Sequence, residues 1–82
     1  MNHREKYDAA FIETFMLEAK DLVGLKYQDA PAWDSVGHMQ LMAALEESFG
    51  IELDIDDIIE FSSYEVGKNI FSKYNINIDQ TA

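Results

Sequence analysis

Cysteine is absent from this 82-residue chain, which excludes disulfides, thiolate catalysis and cysteine-based metal sites. Basic residues are scarce as well: six Lys and Arg face sixteen Asp and Glu, for a formal net charge of −10. Phosphate neutralisation needs clustered Lys and Arg, so nucleic-acid binding is not expected. The same field repels an anionic membrane surface and attracts a partner with a basic face. No apolar run approaches the roughly 20 residues needed to span a bilayer, so no membrane insertion is expected. The polar stretch Met1 to Lys6 leads into no secretory core, and a cytoplasmic location is the expectation. Proline occurs once, at Pro31, and no repeat or low-complexity tract appears.

What is present is apolar and periodic. Hydrophobic residues make up 48% of the chain and ten are aromatic, too many for a disordered segment. A chain this short forms one domain with a modest core, expected over about residues 7–74 with flexible ends. Ile12, Phe15, Met16, Ala19, Leu22 and Val23 fall at helical spacing and predict a first helix from about Tyr7 to Val23, with Asp8 near its start and Gly24 as its stop. Leu25 to Asp34 has no sustained period. Its Leu25, Tyr27 and Trp33 are expected to pin a long loop to the core.

A second helix is predicted from Asp34 or Ser35 to just before Gly50. At 100° per residue, His38, Leu41, Met42, Leu45 and Phe49 share the core face, while Val36, Met39, Gln40, Ala43 and Glu47 point away. A short helix over Asp56 to Glu60 follows. A fourth is signalled by Ser62-Ser63-Tyr64-Glu65, which has the form of a capping box, with Phe61 and Val66 as its staple. Val66, Ile70, Phe71 and Tyr74 supply its buried stripe, and the tail from Asn75 is expected to fray or lie over the surface. The fold class is all-α, a four-helix bundle of three longer helices and one short, with a long first loop.

Ser35 is the residue that points to chemistry. An acid and a serine at a helix start form an ordinary cap worth roughly 1 kcal/mol. In a chain with no other candidate, the same serine, exposed at a loop–helix junction, is suited to modification by another enzyme. Asp34, Ser35 and His38 do not make a convincing hydrolase triad: His38 is on the core side, Asp34 adjoins the serine, and no oxyanion hole is evident. Asp54, Asp56, Asp57 and Glu60 suggest a calcium loop, but Ile58 and Ile59 stand where a ligand and a glycine are needed, so no structural metal is expected. Glu46 and Glu47, with Asp56, Asp57 and Glu60, are candidates for an acidic strip beside the apolar Val36 and Met39.

The run Asp34-Ser35-Val36 resembles the Asp-Ser-Leu signature of acyl carrier proteins. The likeness extends through Leu41, Ala44-Leu45-Glu46-Glu47, Phe49-Gly50-Ile51 and the acids from Asp54 to Asp57, in register, and spans about Phe11 to Tyr74. It implies a carrier-type four-helix bundle that is a substrate of enzymes and not itself an enzyme. A phosphopantetheinyl transferase would attach 4′-phosphopantetheine from coenzyme A to Ser35, flanked by Asp34 and Val36. The arm would carry acyl or aminoacyl thioesters between a loading ligase or transferase and downstream synthases or transferases. Val36, Met39, Gln40, Ala43, Glu46, Glu47, Asp56 and Asp57 would meet basic docking faces on those partners, the carrier itself being monomeric. Gly37 and Gln40 stand where many fatty-acid carriers have acids, which favours a specialised biosynthetic pathway, such as polyketide, aminoacyl or sugar-modifying acyl transfer. The other reading is a non-covalent acidic helical adaptor.

Overall fold

The computed structural model describes residues 2–79. Four helices follow one another: α1 His3–Phe15, α2 Ser35–Phe49, α3 Ile55–Glu60 and α4 Tyr64–Ser72. A single turn of 3₁₀ helix, Ala19–Asp21, interrupts the long connection between α1 and α2. No strand ladder forms among the described residues; one isolated antiparallel bridge, Lys26 to Ser63, ties the first loop to the start of α4. The all-α bundle expected from the periodicity is the fold observed. No helix among the described residues is long and apolar enough to cross a membrane.

α1 begins four residues earlier than the apolar spacing predicts, because Asn2 accepts the Glu5 N–H (2.8 Å) and opens the helix at His3. Asp8 is therefore no cap. It lies inside α1, pairs with Arg4 (3.2 Å) and accepts the Tyr64 hydroxyl. The helix also stops early. Met16 takes a left-handed conformation (φ 56°), and Leu17 N–H closes on the Ile12 carbonyl (3.1 Å), a Schellman-type ending with methionine in the place usually held by glycine. Met16, Ala19 and Val23, expected in a helical stripe, consequently lie outside it. Met16 and Val23 are 92% and 85% exposed, and Gly24 serves a later turn and not the end of α1.

α2 runs as read from the sequence. Asp34 caps it and Gly50, left-handed at φ 64°, ends it, with Ile51 N–H on the Glu46 carbonyl (3.1 Å). α4 is capped one residue later than the capping-box pattern suggests: Ser63 Oγ accepts from Val66 N–H (3.0 Å). Glu65 thus falls before the third helical position and Phe61 is no staple. Phe61 is instead buried against Gly67, where an added Cβ would come within 2.2 Å of its ring.

The core is aromatic. Tyr7, Phe11, Phe15, Trp33, Phe61, Tyr64 and Phe71 are all buried, and each such ring removes about 150–250 Å² from water. They join α1 to the first loop and α4, while Leu41, Met42 and Leu45 present α2 to α1. Trp33 is fully buried and lies between Phe15, stacked at 5.3 Å, and His38, stacked at 6.2 Å. With Leu25 it pins the loop to the core; Tyr27, 38% exposed, does so only in part.

The tail lies over the helices and, as far as residue 79, does not fray. Ile78 is 2% exposed, and Asp79 meets Arg4 (3.0 Å) and Lys68 (3.2 Å), so residues 75–79 pack back onto α1 and α4. His3 belongs to α1 and contacts the Asn77 carbonyl (3.2 Å). The remainder of the expected flexible ends, residues 1 and 80–82, lies outside the described residues.

Candidate functional site

The site is built at the joint between the first loop and α2. Asp34 Oδ1 accepts the Gly37 N–H (2.8 Å), and the first intrahelical bond runs from His38 N–H to the Asp34 carbonyl (2.7 Å). Capping therefore falls to Asp34, and Ser35 is the first helical residue, exposed and relieved of that duty. The amides of Ser35 and Val36 precede the first helical bond. They aim the positive end of a fifteen-residue helix at whatever is joined to the serine. A phosphodiester suits such a place.

Gly37 explains why the joint is so tight. A Cβ there would sit 1.8 Å from the Ala32 carbonyl oxygen and 3.2 Å from the Phe15 ring, so only glycine lets the loop cross the first turn of α2 at this distance. Position 37 is buried, and an acid at this position would face the loop and not a partner.

A cleft of about 380 Å³ opens beside Ser35, lined by Tyr27, His38, Met39, Ile58, Ile59 and Phe61 with Ser35 and Ser62. Leu41 and Leu45 do not line it; both are fully buried, whereas Ile59 is 74% exposed at the rim. His38 spans the cleft wall. Trp33 Nε1–H donates to His38 Nδ1 (2.9 Å), and His38 Nε2–H donates to the Ile58 carbonyl (2.7 Å). This is the packed histidine expected from the helical wheel.

Val36 (66%) and Met39 (54%), close to the serine, are exposed, and so are Gln40, Ala43 and Glu47 further along α2 and Asp56 on α3. Two residues of the expected acidic strip are engaged within the fold. Glu46 is half-buried and its carboxylate accepts the Leu53 N–H (2.8 Å), holding the turn after α2. Asp57 is 5% exposed and is bonded by Lys73 and by the Tyr74 hydroxyl (2.6 Å). Those hydrogen bonds, Lys73 first, hold its carboxyl below the usual carboxylate range and raise Lys73 and Tyr74 in turn. Its side chain turns inward because α3 presents its opposite side, Ile55 (73%) and Ile59 (74%), to solvent. Ile59 lines the cleft with Ser35, and the exposure of both isoleucines was missed in the sequence. Their four-residue spacing on so short a helix was the available signal.

The family model for the phosphopantetheine attachment site matches residues 33–65, from Trp33 through the start of α4. The chain carries a phosphopantetheine attachment site. Its cofactor is accordingly 4′-phosphopantetheine, covalently held, and the protein is a phosphopantetheine-carrying carrier, in agreement with the resemblance to acyl carrier proteins. The matched segment contains the Asp34 cap, the whole of α2 and α3, and the cleft wall formed by His38 and Phe61. No curated protein and no solved structure matches the chain.

Proposed function

We propose that Ser35 is the attachment residue and that the protein shuttles acyl or aminoacyl thioesters between partner enzymes. The observation carrying this reading is the position of Ser35: exposed, freed from capping by Asp34, at the N-terminus of α2 and on the edge of an apolar cleft. Attachment forms a bond from Ser35 Oγ to phosphorus, with the hydroxyl proton passing to the transferase and the pyrophosphate bond of coenzyme A breaking to release adenosine 3′,5′-bisphosphate. When bound, the group supplies a terminal thiol on which cargo is held as a thioester. The chain itself contributes an anchoring oxygen, two first-turn amides and the docking ground, and no catalytic group.

That docking ground comprises Val36, Met39, Gln40, Ala43, Glu47 and Asp56, joined by Ile55 and Ile59. Apolar contact at its centre with Glu47 and Asp56 at its margin suits a phosphopantetheinyl transferase, a loading enzyme and downstream transferases with basic faces. Charge steering gives rapid and reversible association, which a monomeric cytoplasmic shuttle requires more than affinity. A specialised biosynthetic pathway is favoured, because burial of Gly37 leaves this chain unable to show an acid at the position where many fatty-acid carriers have one.

Incubation with coenzyme A and a promiscuous phosphopantetheinyl transferase, followed by intact mass, tests the assignment. The wild-type chain gains one phosphopantetheine and Ser35→Ala gains none. Absence of a gain with several transferases, or an equal gain in Ser35→Ala, overturns it and leaves the non-covalent adaptor.

A further inference from the structure

The two hydrogen bonds of the His38 ring together fit one tautomer. The indole N–H of Trp33 can only donate, so Nδ1 must offer a lone pair. The Ile58 carbonyl can only accept, so Nε2 must carry the hydrogen. Both bonds coexist only in the neutral Nε2–H tautomer. Through that one ring, the first loop, α2 and α3 are tied together along the wall of the cleft beside Ser35.

We propose that neutral His38 is the latch that holds α3 against the Ser35 joint, a positioning residue for attachment whose protonation releases the cleft wall. The positioning role rests on Ser35 being the attachment residue; the latch does not. Protonation places an N–H on each ring nitrogen, so Nδ1 meets the Trp33 N–H donor to donor. Trp33 is fully buried, and its indole N–H then loses its partner away from water. The ring must swing, and the Ile58 tie goes with it. α3 has six residues, far fewer than a helix needs to persist alone, so its place depends on such ties.

The surroundings give the cation aromatic faces and the Ile58 carbonyl, but no carboxylate to pair with in place of the lost indole bond. From the first loop His38 faces Tyr27 (ring centroids 5.7 Å apart) and Trp33. The cleft it borders is lined from its own helix by Ser35 and Met39, from α3 by Ile58 and Ile59, and beyond α3 by Phe61 and Ser62. Tyr27 is the one other titratable side chain in that lining, and no acid is among it. Asp34, one helical turn before His38, is committed to the Gly37 amide, and Asp57, next to Ile58 in sequence, to Lys73 and Tyr74. Acidification therefore removes a bond without creating an ion pair.

The test uses the full chain and three variants: His38→Gln, His38→Ala and Ser35→Ala. Glutamine has both an acceptor and a donor on one amide and does not titrate, so it can replace both bonds at any pH. Imidazole ¹⁵N shifts should report the Nε2–H tautomer near neutrality. The fluorescence of Trp33, the chain's single tryptophan, should titrate with His38 in wild type and Ser35→Ala and stay flat in His38→Gln. Attachment rates follow by intact mass, each divided by the rate of an unrelated carrier with the same transferase. His38→Ala should be slowed roughly tenfold, the effect of about 1.4 kcal/mol of lost positioning, with His38→Gln close to wild type. On acidification the wild type should fall towards His38→Ala while His38→Gln holds. An Nδ1–H tautomer, or a fluorescence titration that survives in His38→Gln, overturns the latch. Parallel rate profiles for wild type and His38→Gln overturn the positioning role. No mass gain in any variant overturns attachment and the positioning role together, while the titration in Ser35→Ala still decides the latch.

Discussion

Gly37→Ala should destabilise this protein although it removes a glycine from a helix. In an exposed helix interior the change gains about 1 kcal/mol. Here the new methyl would lie 1.8 Å from the Ala32 carbonyl oxygen and 3.0 Å from its carbon, more than an ångström inside any tolerable contact. The obstacle is backbone, so no side chain can swing aside; the loop must retreat from α2, drawing Trp33 away from Phe15 and His38. Overpacking of this kind costs about 1–3 kcal/mol. Disturbing the Asp34 cap on the Gly37 amide adds about 1 kcal/mol. Offset against the propensity gain, the net loss is about 2 kcal/mol, or roughly 8–16 °C in the unfolding midpoint of a chain this size. Thermal and urea denaturation followed by circular dichroism measure it, with the exposed Ser48→Ala as the helix-propensity control. An unchanged or raised midpoint would refute the reasoning, since it would mean that the loop does not depend on the missing Cβ.

Asp57→Asn should flatten the acid limb of the stability curve. The folded carboxyl titrates below its unfolded value of about 3.9, so its contribution is complete above that value and is lost as pH falls through the lower folded one. Urea midpoints from about pH 5 to about pH 2 should therefore fall less steeply in the variant, and equal slopes would contradict the assignment. Glu47→Lys should slow transfer to a cognate enzyme at low salt, with the deficit shrinking as salt screens the reversed charge. A defect of constant size across ionic strength would count against steering. Ser35→Ala should abolish the mass gain without changing the denaturation midpoint, because Asp34 and not Ser35 caps α2.

α2 could be read to its ends because its signals are local: Asp34 before it, Gly50 after it, and an apolar face between. α1 could not. Its true cap, Asn2, lies in a polar stretch, and its terminator is a methionine in a conformation that sequence assigns to glycine. The apolar spacing that runs on to Val23 is continued by a turn and a 3₁₀ segment, whose Leu22 reaches the core without a helix. The exposure of Ser35, Val36 and Met39 was legible from the register of one helix. The engagement of Glu46 and Asp57 was not, because their partners, the Leu53 amide and Lys73 with Tyr74, are brought to them only by the folded chain. Gly37 read only as a position without an acid; its reason is a carbonyl five residues back, visible only once the loop is folded over the helix.

The wedge of Trp33 between Phe15 and His38 also has a geometric consequence. With the arm on Ser35, as proposed, it would immobilise the base of the tether while everything beyond Ser35 Oγ stayed free to pivot. A partner gripping α2 and α3 would then fix the origin of the arm's search, and cargo would meet the partner's reaction centre at a local concentration set by tether length alone, on the order of millimolar for a short flexible link. A loose base would smear that origin and dilute the encounter for every partner at once. Under that proposal one buried indole would serve every reaction of the cycle equally, and a change there would be felt as a uniform loss of throughput with selectivity between partners intact.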